Sequence, residues 1–169
     1  MRLRAVFSLV ALTVSISAMA ISCRQSTQDR DCVPRVTLRL VLASGQGNVE
    51  EMAAAIKDGA DVNASDSLLG APVVAAASSG NQQAVKLLVE KGANVNGTDN
   101  QGYTALMKGT LAGNIDIVRL LLSNGANVNA SCYPPIHGSR TSKFTALVIA
   151  KGTKNEAMVK LLTEAGAKE

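Results

Sequence analysis

The pentapeptide GADVN at 59–63 returns as GANVN at 92–96 and again as GANVN at 125–129, each time after 33 residues, and Gly166-Ala167 follows 41 residues after Gly125. A fixed period of this length means that the chain is built from stacked copies of one supersecondary unit, none of which can bury its apolar face alone. Other columns keep the same register. Gly-Asn stands at 47, 80 and 113 with Lys154-Asn155 in the fourth copy, and Ala71-Pro72, Thr104-Ala105 and Thr145-Ala146 align in the same way. Four copies exceed the roughly three needed to enclose a continuous core.

Each column has a mechanical reason. Asn48, Asn81, Asn114 and Asn155 stand where a helix N-cap is wanted, since an Asn side-chain oxygen can accept an unpaired N–H of the first turn. Behind them, Val85, Leu87 and Leu88, or Ile117, Val118, Leu120 and Leu121, fall at spacings that give a wide buried helix face. Gly59, Gly92, Gly125 and Gly166 supply the left-handed residue that ends a helix. Asn63, Asn96 and Asn129 suit the turn that follows, since Asn can bond to its own local backbone and tolerates positive φ. Thr104 and Thr145 start the first helix of the next unit, in which Ala76, Ala77 and Gly109 are small enough for close helix contact. Only 2% of the chain is aromatic although 47% is hydrophobic, so the interior must be built from Ala, Leu and Val between thin, closely stacked helices.

The stretches APVVAAASSGN, TALMKGTLAGN and TALVIAKGTKN, followed by VKLLVEKGANVN, IVRLLLSNGANVN and VKLLTEAGA, resemble the ankyrin repeat. The resemblance covers residues 36–169 and implies an all-α solenoid of stacked helix-turn-helix units with β-hairpin fingers, divided as 36–64, 65–97, 98–130 and 131–169. Residues 36–64 lack a preceding hairpin and the Thr-Pro start, as suits an N-terminal cap. Lys151 replaces a usually small residue in the last unit, as suits an outer face.

Ahead of the repeats, Arg2 and Arg4 precede an apolar run from Ala5 to Ile21 without an acidic residue, the charge and hydropathy pattern of a secretory signal over residues 1–22. Residues 20–23 read AISC, which resembles the lipobox of bacterial lipoproteins. That resemblance implies a lipidated Cys23, a polar tether over 23–35 and, with Arg24 rather than Asp after the cysteine, a periplasm-facing outer-membrane lipoprotein. Cleavage after Ala20 is the competing reading and gives a soluble periplasmic protein.

Aligning Asn129 with Asn96 and Thr145 with Thr104 puts sixteen residues where the preceding unit uses eight, so eight extra residues lie in the last finger. Loops accept added length at small entropic cost. Yet Tyr133, Pro134, Pro135, Ile136 and His137 make a stiff, partly apolar tip, unlike a loop selected only for solubility. Outside the signal the aromatic residues are Tyr103, Tyr133 and Phe144, all in fingers. Tyr103 and Phe144 share one column and are expected as neighbours on successive units, either as a contact ladder or as filling beneath the long finger.

One histidine excludes a multi-His metal cluster, and the three cysteines lack Cys-x-x-Cys spacing. Cys132 and His137 invite a thiol-catalysis reading, but no matching acid or substrate-cleft motif accompanies them. Cys32 and Cys132 belong to opposite ends of the stack, too far apart for the roughly 7 Å that a disulfide spans between Cα atoms. Without Arg2 and Arg4 the basic residues fall to fifteen against thirteen acidic, a balance that does not indicate nucleic acid. The expectation is a non-enzymatic module without cofactor or metal, monomeric when unbound, whose partner is another protein. The ankyrin resemblance places partner contacts on the finger tips and the first helices, here Asp66, Ser67, Leu68, Asn100, Gln101, Tyr103, Lys108, Leu111, Phe144 and Ile149. The inserted finger adds Tyr133, Ile136, His137 and Arg140. Small exported bacterial proteins of this family include immunity proteins that inhibit an envelope-attacking hydrolase, and scaffolding or protection of an exported redox enzyme are the alternatives.

Overall fold

The computed structural model describes residues 35–65, 70–133 and 143–168. The signal segment with Cys23, the residues Asp66, Ser67 and Leu68, and the finger residues Ile136, His137 and Arg140 lie outside the described residues. Among the described residues eight helices alternate in pairs: α1 Arg35–Gln46, α2 Val49–Lys57, α3 Pro72–Ser79, α4 Gln82–Glu90, α5 Ala105–Leu111, α6 Ile115–Ser123, α7 Ala146–Gly152 and α8 Glu156–Glu164. The first helices of successive units pack more closely on one another than the second helices do. Their composition explains it: Ala76, Ala77, Ala105, Ala146 and Ala150 are all buried, while Gly109 lets α5 close on α6 of its own unit, where an added Cβ would stand 3.0 Å from Ile117 Cγ2.

All four asparagines expected as N-caps are N-caps. Asn48, Asn81, Asn114 and Asn155 accept from N–H groups of the first turns of α2, α4, α6 and α8. Thr104 and Thr145 cap α5 and α7 by accepting from Met107 N–H and Val148 N–H. Ala71 has no side chain for that task, and α3 instead starts on Pro72, whose fixed φ suits the first helical position.

The helices stop in a uniform way. Gly59, Gly92, Gly125 and Gly166 have φ between 82° and 92°. The alanine after each donates its N–H five residues back, as Ala126 does to the Leu121 carbonyl at 3.0 Å, which satisfies an orphan carbonyl of the helix end. The turn between the paired helices uses the same device at Gly47, Gly80 and Gly113. In the fourth unit that column holds Lys154, whose φ of 56° forces a side chain into the left-handed region.

Asn63, Asn96 and Asn129 depart from expectation. None has positive φ, and none serves chiefly its own turn. Each reaches across to the next unit: the Asn96 amide nitrogen donates to the Gly125 carbonyl at 3.2 Å, and its oxygen accepts from Asn127 N–H at 2.7 Å. Asn63 makes the same pair with Gly92 and Asn94, and Asn129 with Gly166 and Lys168. The local turn bonds fall to residues two positions earlier, where Asp61, Asn94 and Asn127 accept from the N–H of each ladder asparagine. At the first unit, buried Thr37 of α1 accepts from Asp61 N–H and so takes the place of a preceding asparagine.

The first unit also ends the stack with charge. Later units bury Ala84, Ile117 and Met158 in the column where α2 carries Glu51, and Ala105 and Ala146 where α1 carries Arg39. Arg39 donates to Glu51 and, at 2.8 Å, to Asp58. A polar outer face of this kind lets a terminal repeat meet water. Hydrogen bonding to Arg39 holds the Glu51 carboxyl below its ordinary range.

Candidate protein-binding surface

The finger over residues 98–104 is organised around Asp99. Its Oδ1 accepts from the N–H of Gln101 at 2.9 Å and of Tyr103 at 2.8 Å, while its own N–H donates to the Tyr103 carbonyl at 3.0 Å. Its Oδ2 stands 2.9 Å from Lys108 Nζ, and that ammonium lies 4.4 Å from the centre of the Tyr103 ring. One carboxylate thereby fixes the finger turn and ties it to α5, with the ammonium held between the carboxylate and the ring face. The finger closes with a single antiparallel bridge, Thr98 to Thr104. Asp99 escaped the sequence reading, which named its neighbours Asn100 and Gln101. The signal was the Asp66 and Asp99 column, broken at Cys132.

The last finger repeats this arrangement in apolar form. Cys132, Phe144 and Ile149 occupy the columns of Asp99, Tyr103 and Lys108. Without a carboxylate, the two strands of the finger base bond through backbone alone, Cys132 N–H to the Phe144 carbonyl at 3.0 Å and Phe144 N–H to the Cys132 carbonyl at 2.9 Å. Three residues separate Asp99 from Tyr103 and eleven separate Cys132 from Phe144, so all eight added residues fall beyond the paired base.

The fingers also stack on one another. Gly70 is in the column of Tyr103 and Phe144, and an added Cβ there would stand 2.4 Å from Asp99 Cα, which only glycine permits. A Cβ on Gly102 would stand 3.1 Å from Cys132 Cβ. Buried Cys132 places its Sγ 3.8 Å from Met107 Sδ. Burial, reinforced by the Asp99 carboxylate and opposed by Lys108, pushes the Cys132 thiol up, so it stays protonated and is a poor nucleophile.

Of the residues expected to touch a partner, Leu111 and Tyr133 are well exposed, Asn100 and Gln101 lie at the exposed tip of the finger, and Tyr103 and Phe144 are half-buried against the core. Lys108 is largely engaged by Asp99 and Tyr103. Ile149 is a correction: it is buried within the core cluster, because this column lies against the preceding unit and the finger, and an apolar side chain there is covered. Its neighbour Val148 is the exposed one.

A family model described as ankyrin repeats in three copies matches residues 40–132, more than half of the chain. The chain belongs to the ankyrin-repeat family. The match ends at Cys132, where the inserted residues begin, while the ankyrin stack itself continues through α7 and α8 with the same caps and left-handed glycine. No curated protein matches the chain in sequence. Ankyrin repeats mark a protein–protein interaction module, and members of this family are typically binding proteins rather than catalysts. Among the described residues no group of three potential metal ligands gathers, and no helix is long and apolar enough to cross a membrane.

Proposed function

We propose that this ankyrin array works in the bacterial envelope, held there by lipid on Cys23, and that it binds a cognate envelope hydrolase and keeps it inactive. The observation that carries the binding mode is the base of the last finger. The Cys132–Phe144 pair sits on the stacked core and leaves eleven residues between its strands, including Tyr133 and the sequence Pro134-Pro135-Ile136-His137. A segment of that length and composition suits insertion into a cleft, with Tyr103, Leu111 and Phe144 adding area alongside. The location is supported by the run Ala5 to Ile21 followed by AISC.

Capture from envelope extract with the full chain tests the proposal. A peptidoglycan or lipid hydrolase that loses activity on binding supports it. Structural envelope proteins as the captured set support scaffolding instead, and a catalase-like enzyme supports protection. Deleting eight residues within 133–143 is expected to leave thermal unfolding within a fraction of a kcal/mol of wild type, since it mainly alters loop-closure entropy, and to weaken capture strongly. A folded deletion variant that captures normally overturns the role of the finger. Fatty-acid labelling that persists in Cys23→Ser overturns the anchor.

A further inference from the structure

The units of the ankyrin array are not all joined in the same way. Between the first and second units the Asn81 amide nitrogen donates to the Gly47 carbonyl at 2.8 Å, and between the second and third Asn114 donates to Gly80 at 3.0 Å. Asn155 and Gly113 occupy those columns at the third boundary. There the Asn155 side chain caps α8 and, among the described residues, donates to no carbonyl of the third unit. A second tie runs between neighbouring fingers, where Ala71 N–H donates to the Thr98 carbonyl at 3.3 Å. Its counterpart from Thr104 N–H to the Ser131 carbonyl is not made among the described residues.

Packing falls off in the same order. α1 lies most closely along α3, α3 less so along α5, and α5 least along α7. Helix length does not account for the last step, since α3 and α7 have 8 and 7 residues and meet the same α5. What joins the fourth unit to the third is the Asn129 pair with Gly166 and Lys168 and an apolar contact that places Cys132 Sγ 3.8 Å from Met107 Sδ.

We propose that the boundary between α5–α6 and α7–α8 is a joint, at which the fourth unit opens as a body while the first three stay folded as one cooperative block. Stacked repeats are held by nearest-neighbour interfaces, so an array parts first where one interface is weakest. The residues on the two sides of this boundary set its position: the first unit, bonded through Asn81 and packed along α3, stays with the block. The closed state is the ground state, with the Cys132 thiol buried. On opening, the Cys132–Phe144 backbone pair stays clamped and travels with α7, turning about Ala130 and Ser131, while Cys132 leaves Met107 and Gly102. The base of the long finger thereby varies its distance from Leu111 and from the finger over residues 98–104. The joint is a property of the array alone and holds whatever the finger binds.

Hydrogen exchange of the full chain, read by mass spectrometry on peptides from each helix, tests this. Amides of α7 and α8 should share one level of protection, roughly tenfold or more below that of α3–α6, the effect of the missing hydrogen bonds. Those of α1 and α2 should exchange with the block. Exchange in α7 and α8 should also depend less steeply on urea, since opening one unit exposes less surface than unfolding the array. Asn129→Ala removes the amide tie across the joint and should lower protection of α7 and α8 about fivefold. Asn96→Ala weakens the block, which is folded in both the closed and the opened state, so it should lower protection of α3–α6 and leave α7 and α8 unchanged. Buried Cys132 is a second probe: alkylation by iodoacetamide, located by peptide mapping to distinguish it from Cys23 and Cys32, should proceed through the same opening, ahead of global unfolding. Protection of α7 and α8 equal to that of α3–α6, or an Asn96→Ala effect spread evenly over all helices, overturns the joint. Alkylation of Cys132 without exchange in α8 would show that the finger lifts alone, and overturns it too.

Discussion

Asp99 and Lys108 should be strongly coupled, and the fourth unit shows how to remove both without losing the fold. Their side chains are 11% and 19% exposed, so breaking the pair leaves a charge with restricted access to water. Asp99→Cys takes away the partner of Lys108 and the acceptor for the N–H groups of Gln101 and Tyr103. A fully buried ion pair costs roughly 3–5 kcal/mol to break from one side, and the partial exposure here brings the expected loss to about 2–3 kcal/mol. Lys108→Ile leaves Asp99 with both backbone donors and should cost about 1 kcal/mol. If the two effects were independent, the double variant would lose about 3–4 kcal/mol. It recreates the Cys132 and Ile149 combination of the last unit, so the expected loss is only about 1–2 kcal/mol, a coupling near 2 kcal/mol. Urea denaturation of the four proteins, with an unchanged dependence on urea as the check on comparable unfolding, measures the cycle. A double variant whose loss equals the sum of the single losses to within about 0.5 kcal/mol refutes the idea that the last finger is an apolar substitute for the Asp99 network.

Lys154→Gly should stabilise the protein by about 0.5–1 kcal/mol in thermal unfolding, because it relieves a left-handed backbone that costs a side chain roughly 1–2 kcal/mol while adding some unfolded-state freedom. Gly125→Ala and Gly70→Ala both place a methyl group at positive φ, but the first meets open space and the second meets the Asp99 backbone at 2.4 Å. The Gly70 variant should therefore show the lower denaturation midpoint, with Gly125→Ala losing about 1–2 kcal/mol from backbone conformation alone. Glu51 has a folded-state pKa below its ordinary value of 4.5, so it contributes stability above that value, lost as pH falls through the lowered pKa. Melting temperature measured across acidic pH should show this dependence in wild type and lose it in Arg39→Met.

What was legible in advance was whatever acts within a few residues. The caps Asn48, Asn81, Asn114 and Asn155 and the helix-ending glycines satisfy backbone groups in their own turn, so residue type and period together expose them. Asn63, Asn96 and Asn129 were visible as a column but not in their role, since their partners are a carbonyl and an N–H about one repeat further along the chain. Period reveals that a position matters and is silent about which neighbour it serves. Ile149 was misplaced for a related reason. Its column carries Lys108 in the preceding unit, and whether that position meets water depends on the finger above it. Arg39 with Glu51 and Asp58 left no periodic trace at all, because the cluster exists only where the repeat is interrupted by an end.

The paired backbone at Cys132 and Phe144 makes the last finger a cassette. Both ends of the segment are clamped to each other before it leaves the stack, so the helices on either side receive the same two anchor points whatever is spliced between them. New specificities can then be tried in that segment with the array held constant. Foreign recognition sequences grafted between Tyr133 and Lys143 would inherit a rigid mount already provided by α5, α7 and the neighbouring finger.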